Sequence, residues 1–222
     1  MAITSTQIYT LAAQLAQDEG FNTNSATDYL AATNEAHRRL AEILKTEVKT
    51  DSTIDTIGGT QYYSLPSDYM GMYDTYSGSF GPVAYTDAAG RINYPVFTTY
   101  QNVRNAAATG LKTDTGTPVY CWTDVQNRLW FYPTPDYSAT NNVTVEYYNY
   151  PTSLADLATS DYPDKYLYVL AYLTAEVIAA INELDSDILK FNRLAMTRLN
   201  AISGAGDNLD TNKNLKRIGY LG

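Results

Sequence analysis

Residues 119–133, VYCWTDVQNRLWFYP, decide how the chain is read. VYCWTD (119–124) and RLWFYP (128–133) alternate, are rich in aromatic and β-branched residues, and flank a short turn, which predicts a β-hairpin. NVTVEYYNYP (142–151) follows as a third strand, closed by Pro151. Three strands with short links predict an antiparallel meander. Upstream, Thr53 to Ile57 reads as a short strand, Gly58-Gly59 as a turn and QYYSLP (61–66) as a second strand, together another hairpin. MGMYDTY (70–76) alternates weakly, and Phe97, Tyr100 and Val103 with Ala106–Ala108 predict one short helix.

On both sides of this region the period changes from two to 3.6. Ile8, Leu11, Ala12 and Leu15 share one helical face, with Thr4 or Ser5 as cap and Gly20 as the end. Ser25 or Thr27 caps a second helix, with Asp28 near its positive end and a stripe of Leu30, His37, Leu40, Ala41, Leu44 and Val48. The short connection predicts an αα-hairpin. Beyond the strands, Asp161 reads as a cap with Pro163 in the first turn, before the stripe Leu167, Leu170, Ala171, Thr174, Ile178 and Ile181. Glu183 to Ser186 is a break, and Ile188, Phe191, Ala195, Leu199 and Ile202 continue in another helix ended by Gly204 and Gly206. The expected fold is α+β. A helical bundle is built from residues 1–50 and 160–206, an antiparallel β domain is inserted at 51–159, and an extended C-terminal tail covers 207–222.

The chain has 222 residues, enough to bury roughly 70% of its unfolded surface. Lys and Arg number 15 against 24 Asp and Glu, a formal charge of −9 that argues against a general binder of nucleic acid or anionic membrane. The single cysteine, Cys121, excludes an intramolecular disulfide and a multi-cysteine metal site, and the single histidine, His37, excludes two-histidine sites. MAITSTQIYT lacks the pattern of a signal peptide. The longest apolar stretch, Val169 to Ile181, is interrupted by Glu176 and is too short to span a bilayer. The expectation is a soluble protein made in a reducing cytoplasm.

Candidate chemistry is sparse. His37 lies on the apolar side of its helix and reads as a core or interface residue, and Cys121 reads as a small buried hydrophobe. Asp68, Asp74, Asp124, Asp136 and Glu146 could supply a glycosidase pair, but no spacing pairs them and they read as solvated loop charges. Glu183, Asp185 and Asp187 fit helix capping and lack the spacing of a calcium loop. Gly58-Gly59 lacks the phosphate-loop pattern. The reading is of a protein that is not an enzyme, with no catalytic residue, cofactor or metal. What stands out is Tyr 21 against Phe 5 and Trp 2, with fourteen of the tyrosines between Tyr62 and Tyr150. Tyrosine fits strands, and it also fits surfaces buried against a partner. Tyr62, Tyr63, Tyr120, Trp122, Trp130, Tyr132, Tyr147 and Tyr148 are therefore the candidates for contacts with other subunits or partner proteins.

GTPVYCW, RLWFYPTPD, VTVEYYNYPTSLADL and DYPDKYLYVLAYLTAEVIAA, taken in order, resemble the head-to-tail adaptor proteins of tailed, short-tailed above all, bacteriophages. TQIYTLAAQLAQDEG with YLAATNEAHRRLAEIL is similar to that family's opening helix pair, and QYYSLPSDY to its strand ending in Tyr-x-Leu-Pro. The likeness covers most of residues 4–203, while roughly 78–116 match no pattern of the family. It implies a structural virion protein at the head–tail interface, assembled in the host cytoplasm. Copies, usually twelve, would form a ring between the portal protein and the tail nozzle, sometimes with fibres. The ring would extend the DNA channel without sequence-specific DNA binding and without a membrane. The tail 207–222 would then dock on the portal. Its final eleven residues carry Lys213, Lys216 and Arg217 and no acid, and Leu209, Leu215, Ile218, Tyr220 and Leu221 could fill apolar pockets. Two rival readings are a tail-fibre or receptor-binding module holding sugar on its aromatic strands, and a lytic glycosidase of a phage tail.

Overall fold

The computed structural model describes every residue except 1, 19, 46, 74–80, 108–113 and 204–222. The docking candidates of the tail, and the glycines expected to end the last helix, lie outside the described residues. In chain order the elements begin with β1 (Ala2–Thr4), α1 (Ser5–Leu15) and α2 (Ala26–Leu44). Then come β2 (Val48–Thr56), β3 (Tyr62–Ser64), β4 (Tyr69–Met72), β5 (Val83–Thr86), β6 (Ile92–Asn93), β7 (Val96–Phe97) and α3 (Tyr100–Ala106). β8 (Tyr120–Thr123), β9 (Arg128–Tyr132), β10 (Ala139–Asn149), β11 (Thr159–Pro163), α4 (Leu167–Ile181) and α5 (Asp185–Ser203) complete the fold. It is mixed α+β, with five α-helices among the described residues and sheets that are mainly antiparallel. Contacts divide it into two units, Met1–Leu44 with Pro151–Gly222, and Lys45–Tyr150.

In the first unit the helix starts are set by short polar side chains. Thr4 accepts from the Gln7 N–H while Gln7 Oε1 accepts from the Thr4 N–H, a reciprocal cap for α1. Ser25 and Asp28 exchange the same two kinds of bond at the start of α2. α1 ends at Leu15 and not at Gly20, because Asp18 turns the chain earlier. Its carboxylate accepts the backbone N–H groups of Asn22, Thr23 and Asn24 at 2.8, 3.0 and 3.0 Å. Val48 does not extend the α2 stripe, since Lys45 at φ 47° has already broken the helix and Val48 opens β2.

The entry to α4 also departs from expectation. Asp161 caps nothing there. Thr159–Pro163 is a strand, β11, paired antiparallel with β1. The residue before a proline is pushed out of the α region, so Tyr162 must be extended. Ser160 and Tyr162, two apart, are both buried, and Ser160 Oγ lies 2.6 Å from His37 Nε2. A short 3-10 turn, Asp164–Tyr166, then leads into α4. The break expected at Glu183 is present, with Glu183 itself at φ 57°.

α4 lies against α1, α2 and α5. One cluster joins Ile8, Leu40, Leu170, Leu173, Met196 and Leu199, and a second joins Tyr9, Tyr29, Ile178 and Phe191 around Ala12, Ala32, Ala175 and Ala179. The alanines let helix backbones approach closely. A carboxylate sits in this packing. Glu176 is fully buried, with Arg39 Nη1 at 3.3 Å and Asn192 Nδ2 at 3.1 Å. Burial pushes its pKa above the usual carboxylate range, against the opposing pull of Arg39 and Asn192.

In the second unit β10 is the middle of a five-stranded sheet. β2 pairs along one edge, while β5 and β4 share the other, and β6 extends the sheet from β5. The second sheet runs β3-β9-β8-β7. The β8–β9 hairpin is as expected, with Trp122 opposite Trp130. The meander is not, because β10 leaves for the other sheet. Pro133 and Pro135 lack the N–H groups needed to stay in the ladder. The upstream hairpin fails for a related reason. β2 pairs with β10 and β3 with β9, so Gly58-Gly59 carries the chain between sheets. Gly59 takes φ +83° there and donates to the Pro135 carbonyl. β7 pairs with β8 in parallel, which a purely antiparallel region does not allow. Inward residues of both sheets, among them Ile54, Val83, Tyr85, Val143 and Val145 with Tyr63, Cys121, Leu129 and Phe131, form one core. α3 appears where Tyr100 and Val103 predicted it, capped by Thr99.

Two expectations follow for the helical unit. Arg39→Met leaves the Glu176 carboxylate buried without its cation and should cost about 3–5 kcal/mol at neutral pH. Glu176→Gln removes the charge itself and should cost less than half as much. Chemical denaturation of both variants makes the comparison, and equal losses would contradict a charged, paired carboxylate. The two buried acids should also respond to pH with opposite signs. Asp18 has a depressed pKa, chiefly through the Thr23 N–H, so the stability it contributes is present above the ordinary carboxylate range and lost as pH falls through the depressed value. Glu176 has a raised pKa, so its contribution is full at low pH and lost as pH rises through the raised value. Melting curves from about pH 2 to about pH 8 should show the Asp18→Asn deficit shrinking below about pH 4, and the Glu176→Gln variant improving relative to wild type toward neutrality.

Candidate interaction surface

β3, β9 and β8 alternate, so each has an inner and an outer face. Tyr63, Leu129, Phe131 and Cys121 enter the core. Tyr62, Trp130 and Trp122, which are opposite one another in register, form an outer row across three strands, with Tyr132 and Tyr120 as the next pair along. Ring centroids in the row are 4.8 Å apart for Tyr62 and Trp130 and 5.8 Å for Trp130 and Trp122, the indoles being within 15° of parallel. α3 covers one end of this face through Val103, which packs with Trp122 and Tyr132. From the same helix Tyr100 reaches Trp122 at 5.9 Å.

The β8–β9 turn anchors the row. Asp124 Oδ2 accepts from Arg128 Nε at 2.7 Å and from Trp130 Nε1 at 2.9 Å. Asp124 Oδ1 accepts from the backbone N–H groups of Gln126 and Arg128. Burial raises the carboxyl pKa, but these donors outweigh it and hold the group well below the usual range. The Arg128 guanidinium lies over the rings of Tyr62, at 4.6 Å, and Trp130, at 5.2 Å. Tyr100, Trp122, Thr123, Asp124, Val125 and Trp130 line an open cleft of about 500 Å³.

Of the eight aromatic candidates, Tyr62, Tyr120 and Trp130 reach the surface. Tyr63 and Tyr147 belong to the core, and Tyr148 is buried against Tyr73 with Lys45 over its ring. Tyr132 and Trp122 are covered by α3 and its neighbours. Of the outer row, Tyr62 and Trp130 are thus accessible, while Trp122 and the core tyrosines are buried. Sequence reasoning missed Tyr100, Arg128 and Val125. The period of RLWFY already put Arg128, Trp130 and Tyr132 on one face, but with aromatic residues on both faces it could not say which was outer. It also missed the exposed apolar residues Ile92, Val96 and Phe97 on the short strands β6 and β7.

Several of the residues weighed for chemistry have structural partners. His37 meets Ser160, and Cys121 is fully buried, its thiol pushed up by burial. Asp68 holds Lys49 at 2.6 Å and the Tyr147 hydroxyl at 3.0 Å. Asp74 lies outside the described residues. Among the described residues, no group of three His, Cys, Asp or Glu is placed to hold a metal ion, and no helix is long and apolar enough to cross a membrane.

A search of curated proteins gives no match. The family model described as SU10 adaptor protein matches residues 3–212, which takes in both structural units and the 78–116 stretch that the motifs left unassigned. The chain therefore belongs to the SU10 adaptor protein family and is an adaptor protein of a bacteriophage virion.

Proposed function

We propose that the chain is the structural head-to-tail adaptor of a short-tailed phage. Copies assemble into a ring, twelve by resemblance to the wider adaptor group, between the portal and the tail nozzle. The ring lengthens the DNA channel and catalyses nothing. The observation that carries this reading is the family match over nearly the whole chain. Two features support it. α1, α2, α4 and α5 share apolar clusters around α4, as a helical bundle would. In a chain of formal charge −9, β6 and β7 present Ile92, Val96 and Phe97 uncharged at sheet edges, where like-charged copies can meet with least repulsion. The same net charge keeps DNA from adhering to a passage it must traverse. Residues 207–222, basic and apolar, are the arm that engages the portal, and tail fibres are further partners.

Co-expression with the cognate portal protein, read by negative-stain imaging and mass photometry, tests the assignment. Full-length chain should form rings on the portal. Deletion of 207–222 should leave a folded protein that no longer joins the portal, and Val96→Asp should leave a folded protein with impaired ring formation. A full-length chain that stays monomeric beside its portal, or a truncated chain that co-assembles like wild type, would count against the ring and the arm respectively.

A further inference from the structure

We propose that the sheet β3-β9-β8-β7 continues from copy to copy, the β7 edge of one chain pairing in parallel with the β3 edge of a second copy. The pairing rests on the ring proposed above and names the surfaces that close it. Among the described residues both edges of this sheet are open. On β7 the N–H groups of Val96 and Thr98 donate to the Val119 and Cys121 carbonyls. Those two residues therefore face β8, and the N–H and C=O of Phe97 between them point away from the sheet. On β3 the Gln61 carbonyl accepts from Phe131 and the Leu65 N–H donates to Asn127, so the backbone groups of Tyr62 and Ser64 point away from β9. An open edge is a template for another strand, and chains that stay apart block it with charge. No charged residue lies between Thr56 and Ser67 or between Ile92 and Val103, the runs that contain these two edges. The long edge strand of the other sheet, β2, carries Lys49, Asp51 and Asp55. Tyr62, Val96 and Phe97 are 43%, 55% and 37% exposed, apolar surface that the pairing covers.

Strand directions select which edges meet. β3 and β8 each run antiparallel to β9, and β7 runs parallel to β8, so β3 and β7 point the same way. Laid side by side, unlike edges therefore pair in parallel, and the joint repeats from copy to copy as a ring requires. Like edges, β3 on β3 or β7 on β7, pair about a two-fold axis and join copies in twos. Side-chain faces then fix the register. Tyr63 lies on the core side of the sheet, and so does Phe97, which is in register with Cys121. Tyr62 lies on the outer side, and so does Val96, which is in register with Tyr120. With Phe97 opposite Tyr63 of the second copy, the Phe97 N–H donates to the Tyr62 carbonyl and the Phe97 carbonyl accepts from the Ser64 N–H. That is the slanted pattern of a parallel ladder. The same register sets the exposed side chains of Val96 and Tyr62 next to each other on one face.

Rings assembled on the portal and seen by negative stain are the sample for the test. Tyr62→Cys and Val96→Cys are made singly and together. The native Cys121 is fully buried and stays out of the reaction. A short bis-maleimide should link the double variant into a ladder of covalent multimers on a denaturing gel, while each single variant stays monomeric. Hydrogen exchange on the wild-type chain gives a second measurement that no substitution disturbs. Peptides covering 61–65 and 95–99 should exchange at least about tenfold more slowly in the ring than in the free chain. If the double variant forms no rings, this exchange decides alone. Rings that give no ladder, covalent dimers from either single variant, or unchanged exchange in either peptide overturn the edge pairing and leave the ring standing. A wild-type chain that forms no ring beside its portal overturns the ring and the pairing together.

Discussion

The β unit depends on β10 having both edges occupied. Every buried backbone N–H and C=O needs a partner, and a long strand inside a sheet meets that demand only with a neighbour on each side. β2 supplies one edge, and two separate pieces of chain, β5 and β4, divide the other. The division lets the chain run from β4 to β5 through residues 73–82 while both strands rest on the same neighbour. The ladder is not uniform. Register shifts occur between Ala139 and Val143 and between Val143 and Val145 on the β2 side, and Asn141 takes φ 52°. There Asn142 substitutes side-chain bonds, its amide meeting the Thr56 N–H at 3.0 Å and the Thr56 hydroxyl at 2.6 Å. An amide side chain thus repairs the ladder where the backbone alone cannot.

The tyrosines divide between the two faces that such sheets create. Tyr63 and Tyr85 fill the core, and the Tyr63 hydroxyl donates toward backbone carbonyls of Ile57 and Thr60. Tyr147 donates to Asp68. The phenols of Tyr63 and Tyr147 keep their polar tips partnered in the interior, which lets the sheet use tyrosine at those positions where phenylalanine is more common. The outer row of Tyr62, Trp130 and Trp122 has a different character, because the Trp130 N–H and the neighbouring Arg128 guanidinium converge on one turn residue, Asp124. The first face holds the unit together and the second brings Tyr62 and Trp130 to the surface.

Much of this was legible in the sequence wherever the interaction is local. Caps at Thr4 and Ser25, the break at Glu183, the α3 turn and the β8–β9 hairpin are each decided within a few residues. Pairing across long separations was not legible. Thr53–Ile57 and Gln61–Pro66 alternate equally well, and nothing in either run says that one belongs to β10 and the other to β9. Asp161 shows the hazard of a capping pattern read alone, since Pro163 forbids helix at the residue before it and the strand β11 takes the place of the expected first turn. The outer aromatic row was half visible. Its members could be named, but choosing Tyr62 and Trp130 over Tyr63 and Tyr147 requires knowing where the second sheet lies.

The division of the chain has a consequence for its synthesis. Lys45–Tyr150 is continuous, whereas the helical unit is assembled from Met1–Leu44 and Pro151–Gly222. On the ribosome α1 and α2 emerge first, yet most of the apolar surface they cover lies on α4, which emerges after the whole β unit. The early helix pair must therefore wait, with Ile8, Leu40 and Tyr29 uncovered, while the later-made β unit can close as soon as β10 has left the tunnel. The order of completion is thus the reverse of the order of appearance, and the hairpin α1–α2 is the segment a nascent-chain chaperone would meet longest.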